Sequence, residues 1–465
     1  MRSIITFMIY CCCSSITATN ISETLPVIYI DTQDGKPIID KENYIAATYY
    51  IDTKGIVGLE PIGTPEHPEK MEIKGRGNFT WGYFNKKPYK IKLTTKKSLL
   101  GISSNKHFAL LAHADNDYAF FRNTVAFEIS RRIGMPFTPE QRPIEVVLNG
   151  EYKGLYMLTE TIRVDKKRVN ITQQADNEQS ADAITGGWLV EIDNNKDNSQ
   201  IDISVDGTDL EWLWITYHDP EVLSTEQADY LSSQFELIKQ LIYTADKSSK
   251  EWEKMIDITS LAKYYIIHET VDQLEGFLGS CYLYKDLGET KWHFGPVWDF
   301  GNAFNDYHAK DKFIYEDAPF PVSMIKEIAK FPRFQEEVKR LWNEYYDVLF
   351  KDIDTYINDF ADEIAMAAAN DYQCWPEYGD KNVKKSAEEV INCLHQKVSW
   401  LHSQWSSAEN SISVAMNHQG SVSRFYDFSG HIVKRPKMKG FYIQQEYQSD
   451  GSLKVKKIKY DGHHL

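Results

Sequence analysis

The chain has 465 residues, 42% hydrophobic and 26% charged, an ordinary globular composition with length for two or three domains. Its formal net charge of −15 excludes general nucleic-acid binding, which needs a basic footprint, so a nucleotide site would have to be a local basic pocket in a repelling surface. Of the 6 cysteines, Cys11, Cys12 and Cys13 lie at the N-terminus; Cys281, Cys374 and Cys393 remain, without the spacing of a disulfide framework or a zinc site, although Cys374 and Cys393 can pair in an oxidising compartment.

Residues 1–20 read as a signal or export segment. Arg2 supplies the positive start, residues 4–13 a short apolar core, and Ser14 to Ala18 the small and polar stretch where a leader is cut. The run is too short to span a bilayer, and no later run approaches that length. Cleavage after Ala18 is one reading, lipid attachment at Cys11, Cys12 or Cys13 a second, and a plain buried strand a third.

Residues 21–70 form an N-terminal β-rich lead-in, with strand-like runs at 27–30 and 44–51. A mixed α/β segment follows. Residues 71–74 and 89–93 alternate as strands do. Residues 117–132 carry Phe121, Val125 and Ile129 on one helical stripe, and Gly134 follows where a helix stop is expected. The runs 144–148 and 154–158 flank Asn149-Gly150, a pair that accepts the positive φ of a tight hairpin turn. Helical spacing dominates from 222 to 408, most clearly at 261–272 and 334–350, and a strand pair between Cys281 and Trp298 interrupts it. From 409 the chain is strand-like again, at 425–433 and 440–445.

The stretch most suggestive of chemistry is Trp298-Asp299-Phe300-Gly301. Carboxylate oxygen is the ligand Mg²⁺ prefers, and phosphoryl transfer needs an Asp that holds the metal on the nucleotide phosphates. Gly75-Arg76-Gly77 and Gly82 follow a strand. Glycines let backbone N–H groups approach phosphate, and Arg76 can grip one bidentately; neither a Walker nor a Gly-x-Gly-x-x-Gly spacing is present, and a structural turn accounts for the glycines equally. Lys87 stands at the next strand's entrance, within reach of a phosphate, whereas Lys90 and Lys92 read as a solvated strand face. Glu160 closes an apolar strand, where a carboxylate is costly unless paired; Lys87 is one expected partner, and Arg163 or Lys166 at the surface the plainer one. Glu275 precedes the strand pair that ends in Asp299, so one carboxylate could accept a hydroxyl proton while the other holds metal; a loop Glu is more usually solvated. His268-Glu269 lacks the second His of a zinc-protease helix, and no Gly-x-Ser-x-Gly elbow occurs.

Taken in order, Lys74-Gly-Arg-Gly-Asn78, Lys86-Lys-Pro-Tyr-Lys-Ile-Lys-Leu93, Phe121-Arg-Asn123, Gly150-x-Tyr-x-Gly-x-Tyr-x-Leu-x-Glu160, Glu275-Gly-Phe-x-x-Ser-x-Tyr-Leu-Tyr284 and Gly295-Pro-Val-Trp-Asp-Phe300 resemble the CotH family of atypical secreted protein kinases, first associated with spore coats. The resemblance implies an α+β, atypical protein-kinase-like two-lobe fold over residues 71–408. It implies ATP with Mg²⁺ or Mn²⁺, and transfer of the γ-phosphoryl group to Ser/Thr hydroxyls of secreted or surface proteins by an exported bacterial protein. By motif, Arg76 would sit in the loop over the phosphates, Lys87 would contact phosphate, Glu160 would pair with the lysine or the metal, and Asp299 would bind the metal. The family's catalytic Asp falls on Glu275, one methylene longer, with Asp272 a substitute if the loop is registered differently. A second metal-ligand Asp is replaced by Gly301, for which Asn302, Asn305 or Asp306 could compensate, and Ser280 stands where some relatives carry an Asn metal ligand. These departures keep open a pseudokinase acting as a non-catalytic surface binder of a protein or glycan. Residues 409–465 resemble the C-terminal β modules that sort secreted proteins of Bacteroidetes-type bacteria to the surface; an appended β-hairpin is the plainer reading.

Overall fold

Period-2 alternation and turn chemistry build the N-terminal region. The computed structural model describes residues 21–114, 118–194, 199–203, 213–243, 245–305, 308–317, 323–406, 422–426, 432–433, 440–447 and 453–460. The signal segment with Cys11, Cys12 and Cys13, and also Asp306, lie outside the described residues.

Seven strands, β1 (Val27–Thr32), β2 (Ile45–Asp52), β3 (Glu69–Gly75), β4 (Tyr89–Lys97), β5 (Asn105–Leu111), β6 (Gln141–Leu148) and β7 (Glu151–Glu160), close a barrel in the order β1-β2-β3-β4-β5-β7-β6. The seam between β1 and β6 is parallel, with Val27 opposite Glu145, and the other pairs are antiparallel. Alternate residues point inward: Met71 and Ile73, Tyr89, Ile91 and Leu93, Phe108 and Leu110, Tyr156 and Leu158 are all buried in one cluster. Each such side chain contributes about 1.5–3 kcal/mol by leaving water. The hairpin turn falls at Asn149 (φ 51°) and Gly150 (φ 77°), as their chemistry predicts. Because β1 and β2 belong to this barrel, residues 21–70 are part of it rather than a separate lead-in.

The short helix α1 (Phe79–Tyr83) spans the loop from β3 to β4. After β5 comes α2 (Ala119–Arg132), buried at Phe120, Arg122, Asn123 and Phe127 as well as along the expected Phe121, Val125 and Ile129 stripe. A second antiparallel sheet consists of β8 (Trp188–Asp193), β9 (Gln200–Ile203), β10 (Leu213–Asp219), β11 (Cys281–Lys285) and β12 (His293–Phe294), in the order β12-β11-β8-β10-β9. The helices of this part of the chain are α3 (Thr225–Tyr243), α4 (Ile258–Thr270), α5 (Ile314–Asp317), α6 (Met324–Ile328), α7 (Pro332–Phe350), α8 (Ile353–Cys374) and α9 (Val383–Trp405). Asp257 caps α4 by accepting from the Ser260 N–H at 2.7 Å, and Pro332 opens α7, where its missing N–H costs nothing. The fold is thus α+β with a strand-rich N-terminal region.

The chain divides into two compact units between Gln404 and Trp405. In the second, β13 (Val422–Tyr426), β14 (Ile432–Val433), β15 (Gly440–Tyr447) and β16 (Leu453–Tyr460) form a four-stranded antiparallel sheet in the order β14-β13-β15-β16. No disulfide joins Cys374 to Cys393. Among the described residues, no helix is long and apolar enough to cross a membrane.

One buried ion pair ties the barrel to the helices. Asp371 of α8 lies 2.7 Å from the Lys86 ammonium and accepts from the Leu155 N–H at 2.9 Å, while Lys86 donates to the Leu155 carbonyl at 2.8 Å. Gly154 makes room for it: a Cβ there would lie 2.0 Å from Asp371 Oδ1, and the backbone has φ +98°. Removing one partner of such a pair strands the other charge in the core, at a cost of about 3–5 kcal/mol. Asp371→Ala is therefore expected to lose about that much stability in urea denaturation; a loss under ~1 kcal/mol would show the pair to be incidental.

Candidate active site

Asp299 is an exposed residue between two buried ones. Trp298 and Phe300 anchor the turn that follows β12, and Asp299 stands between them at φ 54°, a left-handed conformation that costs a residue with a Cβ of order 1–3 kcal/mol unless its surroundings impose it. They do so on both sides. The Phe300 N–H donates to Asn123 Oδ1 of α2 at 3.0 Å, and the Asp299 carbonyl accepts from Gln273 Nε2 at 2.9 Å. The Phe300 ring stacks on His268 at 4.8 Å and meets Phe127 edge-on at 6.2 Å. His268 is fully buried, and burial lowers its pKa to about 4, so it serves as a neutral packing ring.

The loop after α4 carries two carboxylates with opposite fates. Asp272 is buried, with His308 Nδ1 at 2.5 Å, Lys310 Nζ at 2.6 Å and Lys397 Nζ at 3.3 Å; Lys397 also reaches Glu269 at 2.7 Å. Burial alone would raise its pKa, but the His308 bond and the two lysine charges outweigh it and hold the carboxyl below its ordinary value. Asp272 is thus an anchor: its carbonyl accepts from Asn305 Nδ2 at 3.2 Å, which fixes this loop to the segment after Asp299. Glu275 is half-buried, and its pKa is raised, first by burial and then by the negative charge of Asp299, against a hydrogen bond with Asn302. Glu275 rather than Asp272 is therefore the carboxylate on this loop that feels the charge of Asp299. Asn302 bonds to Glu275, and Asn305 holds backbone atoms, so neither is simply a stand-in for a ligand at Gly301. Ser280 stands on a left-handed turn (φ 52°) directly before β11.

The basic residues are arranged differently from the sequence expectation. Arg76, at the end of β3, is partly buried with its guanidinium 5.7 Å from the Trp298 ring. Burial lowers its pKa, and the charge of Asp299 is the foremost influence opposing this. Lys87 turns toward its own loop, donating to the Trp81 carbonyl with its ammonium 5.4 Å from that ring. The expected Lys87–Glu160 pair does not form. Glu160 faces Arg168 at 3.3 Å, both nearly inaccessible, and Arg168 closes the end of the barrel by donating to the Thr161 and His107 carbonyls. Glu160 sits opposite Phe108 on the inward face, so its partner must come from within the barrel end, which explains why neither Lys87 nor the surface cations Arg163 and Lys166 reach it.

Lys90 is the residue that sequence reasoning passed over. Lys92 does behave as a solvated strand residue, paired with Glu72 at 3.2 Å in the open. Lys90 is instead half-buried, and its pKa falls to about 8 through burial and the neighbouring cations Lys74, Arg163 and Arg76. Lys74 stands opposite Lys90 in the register of β3 and β4, and these cations, with Arg76 and Arg163 nearby, repel one another; a polyanion would relieve that repulsion. Alternation placed Lys90 on the outer face, but only the fold shows that this face is covered.

The donor set fits a divalent cation bound partly by substrate. Among the described residues, no group of three His, Cys, Asp or Glu closes around a metal. Asp299 offers a hard oxygen ligand on an exposed turn, and Mg²⁺ is commonly held by one or two carboxylates with phosphate and water completing its shell. A sequence model of the CotH kinase protein family matches residues 73–401. No curated protein matches the chain.

The raised pKa of Glu275 has a consequence for stability. The folded state binds its proton more tightly than the unfolded chain does, so ionisation costs stability at neutral pH, and the cost disappears as pH falls through the folded pKa. Glu275→Gln is expected to melt no lower than the parent at pH 7 and to lose any advantage in acid. A clear drop in melting temperature at pH 7 would contradict the shared-site geometry.

Proposed function

Since the chain belongs to the CotH kinase family, we propose that it transfers the γ-phosphoryl group of ATP to a Ser/Thr hydroxyl of a secreted or surface protein. The observation that supports this reading is that the Arg76 guanidinium stands 5.7 Å from the ring of Trp298, next to Asp299, while Gln273, two residues before Glu275, holds the Asp299 carbonyl at 2.9 Å. The basic wall of Lys74, Arg76, Lys90 and Arg163 supplies the local attraction that a chain of net charge −15 otherwise lacks.

The roles follow from the side chains. Arg76 and Lys90 hold phosphate oxygens and offset their charge. Asp299 would hold Mg²⁺ or Mn²⁺, which on binding neutralises negative charge on the phosphates. The acceptor hydroxyl oxygen forms a bond to the γ-phosphorus as the bond to the bridging oxygen of ADP breaks, and Glu275 takes the hydroxyl proton. A carboxyl with a raised pKa is the better base for this, once ionised. Glu275 is one methylene longer than the family's Asp, so its bond to Asn302 matters: it aims the longer side chain. Export fits the charge and apolar pattern of residues 1–20.

Incubation of the purified protein with labelled ATP, Mg²⁺ or Mn²⁺ and generic protein acceptors tests the reading. Incorporation should vanish in Asp299→Ala and fall by about 10²–10⁴-fold in Glu275→Gln. If the intact, folded parent gives no incorporation with any acceptor, a non-catalytic surface binder of protein or glycan replaces the kinase. Nucleotide affinity should fall by about tenfold or more in Arg76→Ala, the size of a lost charge-assisted hydrogen bond, and much less in Lys87→Ala. Equal losses in both variants would restore Lys87 to the site. Phosphate should also raise the depressed pKa of Lys90 from about 8, so ATP binding near pH 8 should take up protons; calorimetry in buffers of different ionisation heat detects this, and an absence of uptake contradicts the placement of Lys90.

A further inference from the structure

Three residues in the loops that bear the site hold left-handed backbone: Asp272 (φ 59°), Asp299 (φ 54°) and Phe304 (φ 56°). Residues with a Cβ keep that conformation only where their neighbours impose it. Asn123 and Gln273 do so around Asp299, and the Phe304 N–H donates to the Val271 carbonyl at 2.8 Å. Asp272 is held through its buried carboxylate, and one of the cations on it comes from far along the chain.

That cation is Lys397 of α9. Its ammonium lies between two acids about one helical turn apart, 2.7 Å from Glu269 and 3.3 Å from Asp272. Burial raises the pKa of Glu269, and the charge of Lys397 is the foremost influence opposing this. The ammonium also donates to the Lys312 carbonyl at 2.5 Å, and Glu269 accepts from the Ile314 N–H at 3.1 Å on each oxygen. One side chain thus joins the end of α4, the loop after it and the segment 308–314. Trp400, a turn further along α9, meets the same segment through Phe313, with ring centroids 4.6 Å apart. Asp272 passes the constraint on: its neighbour Gln273 holds the Asp299 carbonyl, and Glu275 follows on the same loop.

We propose that Lys397 is a positioning residue for phosphoryl transfer, fixing the loop of Glu275 and the turn of Asp299 relative to each other. This deepens the phosphotransferase reading and rests on it. The Lys397 side chain is only 1% exposed, so it acts through Asp272 and Glu269 and not on substrate. Without it Asp272 loses one of the cations that hold its left-handed turn, and the segment after Asp299 loses its bond at Lys312. A displacement of about 1 Å at a reacting group costs about a hundredfold in rate. The phosphates are gripped from the barrel, by Arg76 and Lys90, so the loss falls on the chemical step and spares nucleotide binding.

Phosphotransfer by the full chain, with labelled Mg²⁺-ATP and a protein acceptor, tests this. Lys397→Met should lower kcat by about a hundredfold and leave KM for ATP within about threefold of the parent value. Because that change strands Glu269, Lys397→Met with Glu269→Gln is the second variant: it removes one charge of each sign, so it should melt closer to the parent while kcat stays low. A parent-like kcat in Lys397→Met, a rise in KM in place of the fall in kcat, or recovery of kcat together with stability in the double variant overturns the positioning role. Hydrogen exchange reads the same link without catalysis. In the folded double variant the Phe300 and Phe304 amides should exchange about tenfold or more faster, and the Ile91 amide in the barrel at the parent rate; unchanged exchange at Phe300 and Phe304 also overturns the role. A parent that transfers no phosphate overturns the phosphotransferase reading, and the exchange result then decides by itself whether Lys397 holds the turn.

Discussion

The structure depends on the immobilisation of one backbone turn. A carboxylate can hold a cation in a fixed place only if the peptide units beside it cannot move, and Asp299 sits in a conformation that an unsupported residue would leave. Asn123 holds the turn from α2, Gln273 holds it from the loop after α4, and the Phe300–His268 stack holds it from beneath. Gly276 belongs to the same arrangement, since a Cβ there would fall 1.9 Å from the His268 ring. The residue after Glu275 is thus pressed against the ring that carries Phe300, so the two carboxylates are positioned by one packed unit.

Around that unit lie two buried charge networks of different purpose. The Lys86–Asp371 pair joins the barrel to α8, with Leu155 bonded to both residues. The Asp272 network joins the loop carrying Glu275 to α9 through Lys397 and to the segment beyond Asp299 through Asn305 and His308. Buried charges are a poor way to gain net stability, because desolvation offsets most of the attraction. What they do is link elements distant in sequence: one fixes the barrel to α8, the other fixes the loop that carries Glu275 to α9 and to the segment beyond Asp299.

Much of this could be read in the chain. The strand-like runs located β3 and β11 to within about two residues and the start of β4, Asn149-Gly150 fixed the hairpin, and the ordered motifs pointed to the family that the sequence comparison supports. Local patterns failed where the answer was non-local. Lys87 and Lys90 are three residues apart and chemically identical; only the closure of the barrel and the approach of the second sheet decide that one serves its own loop and the other joins a cationic wall. Glu160 looked available until the register put it opposite Phe108, inside the barrel end with Arg168. Glu275 was the first candidate in sequence and Asp272 its substitute under another loop register, and the three cations around Asp272 distinguish them.

The central claim is that a cation-bound triphosphate lies between Asp299 and Arg76. Crystals grown with Mn²⁺ and a non-hydrolysable ATP analogue test it most directly, because manganese is located by its anomalous scattering. The account predicts manganese bonded to the Asp299 carboxylate, with the polyphosphate against Arg76 and Lys90. Manganese and polyphosphate bound together elsewhere, with Asp299 bearing neither, would contradict it.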